Sequence, residues 1–418
     1  MKSLLQDLRY SRRQLVSSPG FSITAILSLA LGIASTTAVF SVIYAVVMNP
    51  YPYHAPDRMV HMRLRDKSGQ ESGFGLIPSQ WQELRNSPVV EDSFMTNLGS
   101  LTLTGHDLPE DVKASYITAN GFQFLGVPPA LGRGLLPSDT AQPVIVLGYK
   151  FWQRHFSGSS DIVGQTLQLT RKSYTIIGVS PARFTWNDAD VYMPLDLSSG
   201  HENAYAVVLR LKPGISHAAA NAALQPLINQ FAKQTPNNFP QSQFEFTVVG
   251  LNDDFIHQLG GTLALLFSAV ALLLGIGCGN VSILLLARGT ARQHEFALRS
   301  AIGASRGRII RQLLTESLML SLAGASLGIL LAFRLVPAIV AMLPENSFPH
   351  EAAIHINLPV LAFSVAVALL TGILFGLWPA LQLSRPDLRG VMQVGTRKIA
   401  GHHGAHAANN TLIATRSR

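Results

Sequence analysis

The sequence has little cysteine and little charge. A single cysteine among 418 residues, Cys278, excludes a disulfide framework and a cysteine-rich zinc site. Charged residues make up 13% of the chain and apolar residues 48%, whereas soluble proteins average about 25% charged residues. Low charge combined with high apolar content excludes an intrinsically disordered chain and argues against a wholly soluble one.

Motifs for catalysis are also missing. The chain has no Gly-x-x-x-x-Gly-Lys-Ser/Thr loop for nucleotide phosphates, and its exported segment, defined below, has no Gly-x-Ser-x-Gly elbow and no His-Glu-x-x-His metal motif. We therefore predict no catalytic, cofactor-binding or metal-binding residues and no bound cofactor. The protein is predicted not to be an enzyme, and any ATP hydrolysis is expected in a partner subunit.

Long uncharged runs are the most prominent feature of the sequence. Four stretches reach the length of about 20 mostly apolar residues that a helix needs to cross a bilayer. The first is much longer than the apolar core of a cleaved signal peptide, so we predict an uncleaved anchor. The predicted transmembrane helices span residues 21–48, 258–287, 313–343 and 358–383.

The positions of the cationic residues predict the orientation in the membrane. Lysine and arginine cluster before the first span, between the second and third, and after the fourth, and are absent from the short loop 344–357. The positive-inside rule then places both termini and the loop 288–312 in the cytoplasm, and residues 49–257 outside it. This exported segment is slightly acidic, so the positive excess faces the inner leaflet. That distribution favours anionic lipid headgroups as partners and excludes nucleic acid.

The two ends of the chain have different patterns. Over residues 1–20, leucines at near-helical spacing alternate with arginines, which predicts an amphipathic helix on the inner leaflet, ended by Pro19 and Gly20. Residues 384–418 form a polar tail that we predict to be disordered.

Strand and helix signals alternate in the exported segment. A strand over 206–211, a helix that follows the N-cap candidate Ser216, and a strand over 244–249 form one strand–helix–strand unit. This order predicts an α+β domain rather than a β-sandwich. Further strands are predicted over 59–64, 112–117, 144–147 and 174–179, and a further helix over 79–85.

Only two formal charges, Glu316 and Arg334, lie within the predicted spans. Such a charge costs about 2.5–3.5 kcal/mol at the bilayer centre and less near a helix end. Glu316 lies near the predicted cytoplasmic end and Arg334 near the outer end, so we expect both to position helices, and no row of charges marks an ion path. Glycines four residues apart predict close helix packing at Gly324, Gly328, Gly372 and Gly376.

The loop between the second and third spans has an amphipathic pattern over residues 292–305, with an apolar side and a charged side. A short helix of this kind at a membrane surface either lies on lipid or binds in a groove of a cytoplasmic partner. The pattern leaves both readings open. The candidate partner-contact residues are Arg292, Glu295, Phe296, Leu298 and Arg299.

Three passages resemble the MacB/FtsX-like ABC transporter permease family. The N-terminal passage, Leu5-Gln-Asp-Leu-Arg-Tyr followed by Ser18-Pro-Gly-Phe, is similar to the N-terminal half of the duplicated permeases described from acidobacteria. The loop passage His294-Glu-Phe-Ala-Leu-Arg, with Ala301-Ile-Gly-Ala-Ser-Arg, resembles the signature before the family's third span. Gly376-Leu-Trp-Pro-Ala-Leu resembles the exit from its fourth.

The resemblance implies an α-helical bacterial inner-membrane protein with four transmembrane helices and an α+β periplasmic, MacB-like core domain inserted between helices 1 and 2. It implies an inserted lobe at roughly 143–195 and an FtsX-like permease region over 258–385. One departure is His294, where the family commonly has arginine. Another is the polar tail, since the duplicated permeases continue into a second half; the chain is either a single half or part of a longer protein.

The function implied by the resemblance is that of a permease subunit. It would couple the motion of a cytoplasmic ABC ATPase, bound at the 292–305 helix, to the periplasmic domain, for efflux or for handling extracytoplasmic substrates. Pairing would be with a second copy or with a homologous half. The alternative is a membrane-anchored periplasmic binding or sensor module without an ATPase partner. The sequence assigns no substrate.

Cysteine accessibility tests the predicted orientation. In a Cys278→Ser background, single cysteines placed within 49–257 should react with a membrane-impermeant maleimide added to spheroplasts. A cysteine at Arg292 should react only after permeabilisation, because the positive-inside rule places it in the cytoplasm. An unreactive 49–257 segment together with a reactive Arg292→Cys would show the opposite orientation.

Overall fold

The computed structural model describes residues 2–66, 71–72, 74–104, 109–198, 203–240, 243–292, 305–342 and 349–383. The chain divides into two compact units. The helical unit is formed by residues 1–42, 263–342 and 355–418, and the domain unit by residues 43–262 and 343–354.

Within the described ranges, the α-helices in chain order are α1 (Lys2–Val16), α2 (Pro19–Ile43), α3 (Pro78–Arg85), α4 (Gly121–Leu125), α5 (Tyr149–Phe156), α6 (His217–Gln234), α7 (Asp253–Ala291), α8 (Arg306–Met342) and α9 (Leu358–Leu383). The strands are β1 (Met59–Asp66), β2 (Glu71–Ser72), β3 (Val90–Leu103), β4 (Glu110–Ile117), β5 (Leu131–Gly132), β6 (Val144–Leu147), β7 (Thr166–Leu169), β8 (Lys172–Val179), β9 (Val191–Pro194), β10 (Ala206–Leu211) and β11 (Phe244–Gly250).

Among the described residues, four helical segments are long and apolar enough to cross a bilayer, which confirms the predicted number of spans. They are Pro19–Met48, Leu259–Ala291, Arg306–Met342 and Leu358–Gln382.

Two helices are longer than the apolar runs that predicted them. Helix α7 begins at Asp253 instead of residue 258 and continues to Ala291, and α8 begins at Arg306 instead of residue 313. The predicted loop 288–312 therefore contains helical residues at both ends. The reason is that backbone hydrogen bonding continues a helix through polar residues, whereas the apolar run marks only the part that suits lipid.

The turn between α1 and α2 follows the proline position. Helix α1 ends at Val16, and Pro19 is the first residue of α2. Proline fits this position because the first helical turn leaves its N–H groups without intrahelical partners. At its other end, α2 runs into a π-helical turn over Tyr44–Met48, where the Asn49 N–H donates to the Tyr44 carbonyl at 2.8 Å.

One mixed sheet forms the framework of the domain unit. Its strand order is β11-β1-β10-β3-β4-β9-β6-β8-β5, with β2 paired to β1 and β7 paired to β3 and β8. Most neighbours are antiparallel, but β4–β9 and β6–β8 are parallel. Helices α3 and α6 contribute Trp81, Leu84, Leu224, Ile228 and Phe231 to a buried core with strands of this sheet. The predicted α+β class of the exported segment is confirmed.

Local sequence patterns located several of these elements. Strands β6 and β10 have the predicted bounds, and α6 begins one residue after Ser216. The Ser216 Oγ accepts a hydrogen bond from the Ala219 N–H at 3.2 Å, as an N-cap does. Strand β3 was not predicted, because polar residues such as Asn97 interrupt its alternation. It is held as a strand by pairing with β10 on one side and β4 on the other.

The predicted lobe 143–195 contains β6 to β9 and α5. Its buried residues, including Phe151, Ile162, Leu167 and Ile176, form a cluster that also takes in Val112 from β4. Strand β9 pairs with β4, which lies outside the lobe. The lobe therefore shares the sheet and the core of the rest of the domain.

Truncation of Phe231 tests the core beneath α6. Phe231 is fully buried, so Phe231→Ala should lower the free energy of unfolding of the domain by about 3–5 kcal/mol, through lost apolar burial and the cavity left behind. Pulse proteolysis of the full chain in detergent over a urea series measures this change. Lys233→Ala, an exposed change on the same helix, should stay within about 0.5 kcal/mol. Equal effects of the two variants would contradict the assigned core.

Candidate functional site at the Arg288 end of the helical unit

A buried ion pair joins α7 to α8. Glu316, in the third turn of α8, is 2% exposed. Arg288, near the end of α7, donates from Nη1 to the Glu316 Oε1 at 3.1 Å, and Arg292 Nη1 lies 3.8 Å from Oε2. A buried carboxylate is costly unless it is paired and hydrogen-bonded. The two arginines therefore explain how a charge is tolerated at this point of an apolar helix.

The Arg288 guanidinium also holds the start of the chain. Its Nη2 donates to the Gln14 carbonyl in the last turn of α1 at 2.5 Å, and to the Ser18 Oγ at 3.1 Å. Its carbon lies 4.8 Å from the ring centroid of Phe21 on α2, a cation–π distance. Carbonyls in the last turn of a helix lack intrahelical donors, so a cation there is stabilising. One side chain thus binds α1, the α1–α2 turn, α2 and α8.

Arg292 makes a second connection to α1. Its Nη2 donates to the Tyr10 hydroxyl at 2.7 Å, and its guanidinium carbon lies 5.8 Å from the Tyr10 ring centroid. Arg292 is also the last described residue before segment 293–304, which contains the remaining predicted partner-contact residues. Glu295, Phe296, Leu298 and Arg299 lie outside the described residues.

The partners of these charges are not evident from the sequence. Arg288 is one of several arginines between the second and third spans, and no pattern links it to Gln14 or links Arg292 to Tyr10. A signal was nevertheless present, because α7 and α8 are consecutive helices and the last cationic residue of α7 can meet the first carboxylate of α8. Arg334, the other charge in the spans, is exposed on α8.

The predicted packing glycines lie at close helix contacts. A Cβ at Gly324 would lie 2.7 Å from the Leu29 Cβ, and one at Gly328 would lie 2.8 Å from the Ala30 carbonyl, so both glycines face α2. On α9, a Cβ at Gly372 would lie 3.1 Å from the Cβ of Ser321 on α8, and Gly376 faces Ser317 of the same helix. These glycines let α8 approach α2 and α9 approach α8, as small residues do in membrane bundles.

Serine hydroxyls on α8 and α7 add hydrogen bonds to α9. The Ser317 Oγ donates to the Gly372 carbonyl at 2.9 Å, and the Ser282 Oγ donates to the Phe375 carbonyl at 3.0 Å.

Within the described residues no group of three His, Cys, Asp or Glu side chains could hold a metal ion. The arrangement at the Arg288 end is therefore suited to fixing the relative positions of helices, and displacement of one helix would separate buried charges.

Comparison with known families gives two matches along the chain. A family model described as a MacB-like periplasmic core domain matches residues 22–227. A second, described as the C-terminal region of FtsX-like permeases, matches residues 248–388. Between them the two models cover most of the sequence, in the order expected from the resemblance.

Curated relatives with these parts include an export protein of Hahella chejuensis, the macrolide export ATP-binding/permease protein MacB. It is 25% identical over 323 residues, which are 75% of this chain and 47% of the relative. The pyoverdine export ATP-binding/permease protein PvdT of Pseudomonas syringae pv. syringae is 26% identical over 292 residues, 66% of this chain and 42% of the relative. The chain thus spans less than half the length of these relatives.

Solved structures that match part of this chain include the periplasmic region of MacB from Actinobacillus actinomycetemcomitans. That structure has 14% sequence identity and a TM-score of 0.37, and the match covers 53% of this chain and 96% of that one. The extracellular domain of the transporter YknZ from Gram-positive bacteria matches with 13% identity and a TM-score of 0.35, over 46% of this chain and 99% of its own.

Breaking the buried ion pair should destabilise the helical unit. Glu316→Ala leaves Arg288 buried without its carboxylate, a change that costs about 3–5 kcal/mol when one partner of a buried pair is removed. Thermal unfolding in detergent should show a lower midpoint for this variant.

The double variant Arg288→Met/Glu316→Leu is the matched control. It removes the two charges of the 3.1 Å pair and keeps apolar volume, and Arg292 keeps its hydrogen bond to Tyr10, so it should be more stable than Glu316→Ala. If Glu316→Ala unfolds at the wild-type temperature, the pair does not hold α7 to α8.

Proposed function

This chain belongs to the MacB/FtsX-like ABC transporter permease family, and from that membership we propose that it is a permease subunit that transmits motion between a cytoplasmic ABC ATPase and its periplasmic domain. Members of the family work with cytoplasmic ABC ATPases at the inner membrane. The four apolar helices and the MacB-like core domain agree with an inner-membrane protein that has a periplasmic segment. The ATPase contact, the kind of task and the pairing of subunits are part of this proposal.

The observation that carries the proposal is the position of the Arg288–Glu316 network. The segment proposed to contact the ATPase, 292–305, begins directly after α7 and ends directly before α8. The helices on either side of this segment, α7 and α8, are joined through the pairing of Arg288 and Arg292 with Glu316. Arg292 also bonds to Tyr10 of α1. A force on this segment would act on α7, α8 and α1 together, because separating them would leave charges buried without partners.

The chain that runs from α7 to β11 is the second part of the proposed route for motion, from the helices to the domain. Helix α7 is uninterrupted from Asp253 to Ala291, and β11 ends at Gly250. Strand β11 pairs with β1 along seven residue pairs. Strand β1 is the first strand after the π-helical turn that continues α2 to Met48. The Gly250 N–H donates to the Asp253 Oδ2 at 2.7 Å at the start of α7. In this proposal, motion of α7 reaches the domain through the chain connection to β11, an edge strand of the sheet.

We propose extracytoplasmic substrate handling or efflux as the outcome. The relatives carry the printed names macrolide export and pyoverdine export, and the family resemblance favours the same kind of task here. The working unit in this proposal is a homodimer or a pair with a homologous permease half. The competing function is a membrane-anchored periplasmic sensor that needs no ATPase. A neighbouring gene for a Walker-type ATPase favours the permease over the sensor.

The coupling role predicts a specific loss in Phe296→Asp. If segment 292–305 binds in an ATPase groove, its apolar side is the anchor, because buried aromatic and aliphatic side chains dominate such contacts. The variant should lose co-purification with the ATPase by at least about tenfold and lose ATP-dependent activity. Membrane insertion should stay normal, because the apolar spans determine it.

Phe296→Leu, which keeps an apolar side chain, is the matched control and should retain most of the binding. Co-purification at the wild-type level in Phe296→Asp, at normal membrane abundance, would contradict the coupling role. That outcome would favour a helix that only rests on lipid.

A further inference from the structure

A glutamate from the segment between α8 and α9 is buried in the domain unit. Glu351 lies in the stretch 343–354 that belongs to this unit and is 7% exposed. Its Oε1 accepts a hydrogen bond from the Tyr53 hydroxyl at 2.7 Å. Tyr53 itself is buried and belongs to the stretch between α2 and β1. The contact thus joins two segments that lie far apart in the sequence.

Two further contacts hold the same segment. Arg183 donates from Nε to the Glu351 carbonyl at 3.2 Å and from Nη2 to the Asn49 carbonyl at 2.9 Å. The neighbouring His350 places Nδ1 3.5 Å from the Asp188 Oδ1. Residues 350 and 351 are therefore held by three contacts. They are the Glu351 carboxyl with Tyr53, the Glu351 carbonyl with Arg183, and the His350 ring with Asp188.

Tyr53, which bonds to the Glu351 carboxyl, lies among other aromatic rings. The Tyr53 ring lies 5.8 Å from Tyr51, 5.9 Å from Phe184 and 5.7 Å from Trp186, measured between ring centroids. The arginine of this site, Arg183, bonds to backbone carbonyls. Glu316 differs in this respect, because its carboxylate is paired with the guanidinium of Arg288 at 3.1 Å.

Charged groups nearby act on the carboxyl in opposite directions. The Asp188 charge opposes ionisation of Glu351, and the Lys150 charge favours it. Asp188 is shared, because it also lies 2.9 Å from the Lys113 Nζ and 3.8 Å from the Lys150 Nζ. The titratable and charged groups that face Glu351 from the elements around it are Tyr53, Arg183, Asp188, Tyr192 and Lys150, with His350 beside it in the chain.

Burial is the main cause that raises the pKa of Glu351, from 4.5 to about 7, and the hydrogen bond from Tyr53 works against that rise. When the segment leaves the domain, the carboxyl returns to water and to its ordinary pKa. Docking of residues 349–351 and binding of a proton by Glu351 are therefore linked.

We propose that residues 349–351 form a proton-controlled latch, which stays docked on the domain while the Glu351 carboxyl is protonated and is released more readily when that carboxyl ionises. The latch holds the connection between α8 and α9 to the chain that follows α2. Its role in coupling rests on the function proposed above, but the docking equilibrium itself does not.

The direction in which pH changes docking follows from the docked and undocked pKa values of Glu351. Because the docked pKa, about 7, lies above the undocked value of 4.5, docking is favoured in full below about pH 4.5. That advantage is lost as the pH rises through about 7. Between pH 5.5 and 7.5, linkage gives a decrease of roughly twentyfold in the ratio of docked to undocked segment.

Hydrogen exchange on the full chain in lipid nanodiscs, without nucleotide or partner, tests the latch. Protection of the backbone amides of residues 350–354, corrected for the intrinsic exchange rate at each pH, should fall by roughly twentyfold from pH 5.5 to pH 7.5. In Glu351→Gln, which cannot ionise at this position, the change in protection over this pH range should be much smaller than in the wild type. Glu110→Gln, which removes a more exposed carboxylate of the same domain, should behave like the wild type.

Infrared spectroscopy gives a second measurement that does not depend on the Gln variant. The carbonyl stretch of a protonated, buried carboxyl should titrate with a midpoint near pH 7 in the wild type. Tyr53→Phe removes a hydrogen bond that favours the ionised form, so the midpoint should move to higher pH.

Protection that is equal at both pH values would overturn the latch, as would a pH dependence in Glu351→Gln that matches the wild type. A titration midpoint near 4.5 would overturn it as well. These outcomes leave the Phe296→Asp experiment unaffected, so failure of the latch and failure of the coupling role are distinguishable.

Discussion

Burial of charge constrains this structure more tightly than any other feature, because the chain has few charges and long apolar helices in which an unpaired one is costly. Glu316 meets this constraint by pairing with Arg288 and Arg292. The same arginines bind Gln14, Ser18 and Tyr10, so satisfying one carboxylate fixes α1, α7 and α8 against each other. The network is a structural element first, and its value for coupling follows from the fact that it cannot be opened at low cost.

The domain unit meets the same constraint differently. Glu351 is nearly as buried as Glu316, but its carboxyl receives a hydrogen bond from a tyrosine in place of a guanidinium. Burial favours the protonated form of the Glu351 carboxyl, whereas the Glu316 carboxyl is held between two guanidinium groups. One glutamate is therefore suited to permanent structure and the other to a response to pH.

Family membership and local geometry contribute different parts of the functional argument. The matches over 22–227 and 248–388 establish the permease family and the domain order. They do not identify Arg288, Tyr10 or Glu351, because these residues act through contacts between distant parts of the chain. The mechanical proposal depends on those contacts and on the uninterrupted helix α7.

The sequence by itself determined the four spans, the α+β class of the domain and the bounds of strands such as β6 and β10, because length, hydropathy and alternation are local properties. It also located the glycines and Glu316. Only the tertiary structure decided which charges meet, that β3 is a strand between β10 and β4, and that Glu351 lies against Tyr53. Those features arise from contacts between residues up to about 300 positions apart, as in the 298-residue separation of Tyr53 and Glu351. No local pattern encodes such a pairing, because the free energy that selects it comes from burial in the folded chain.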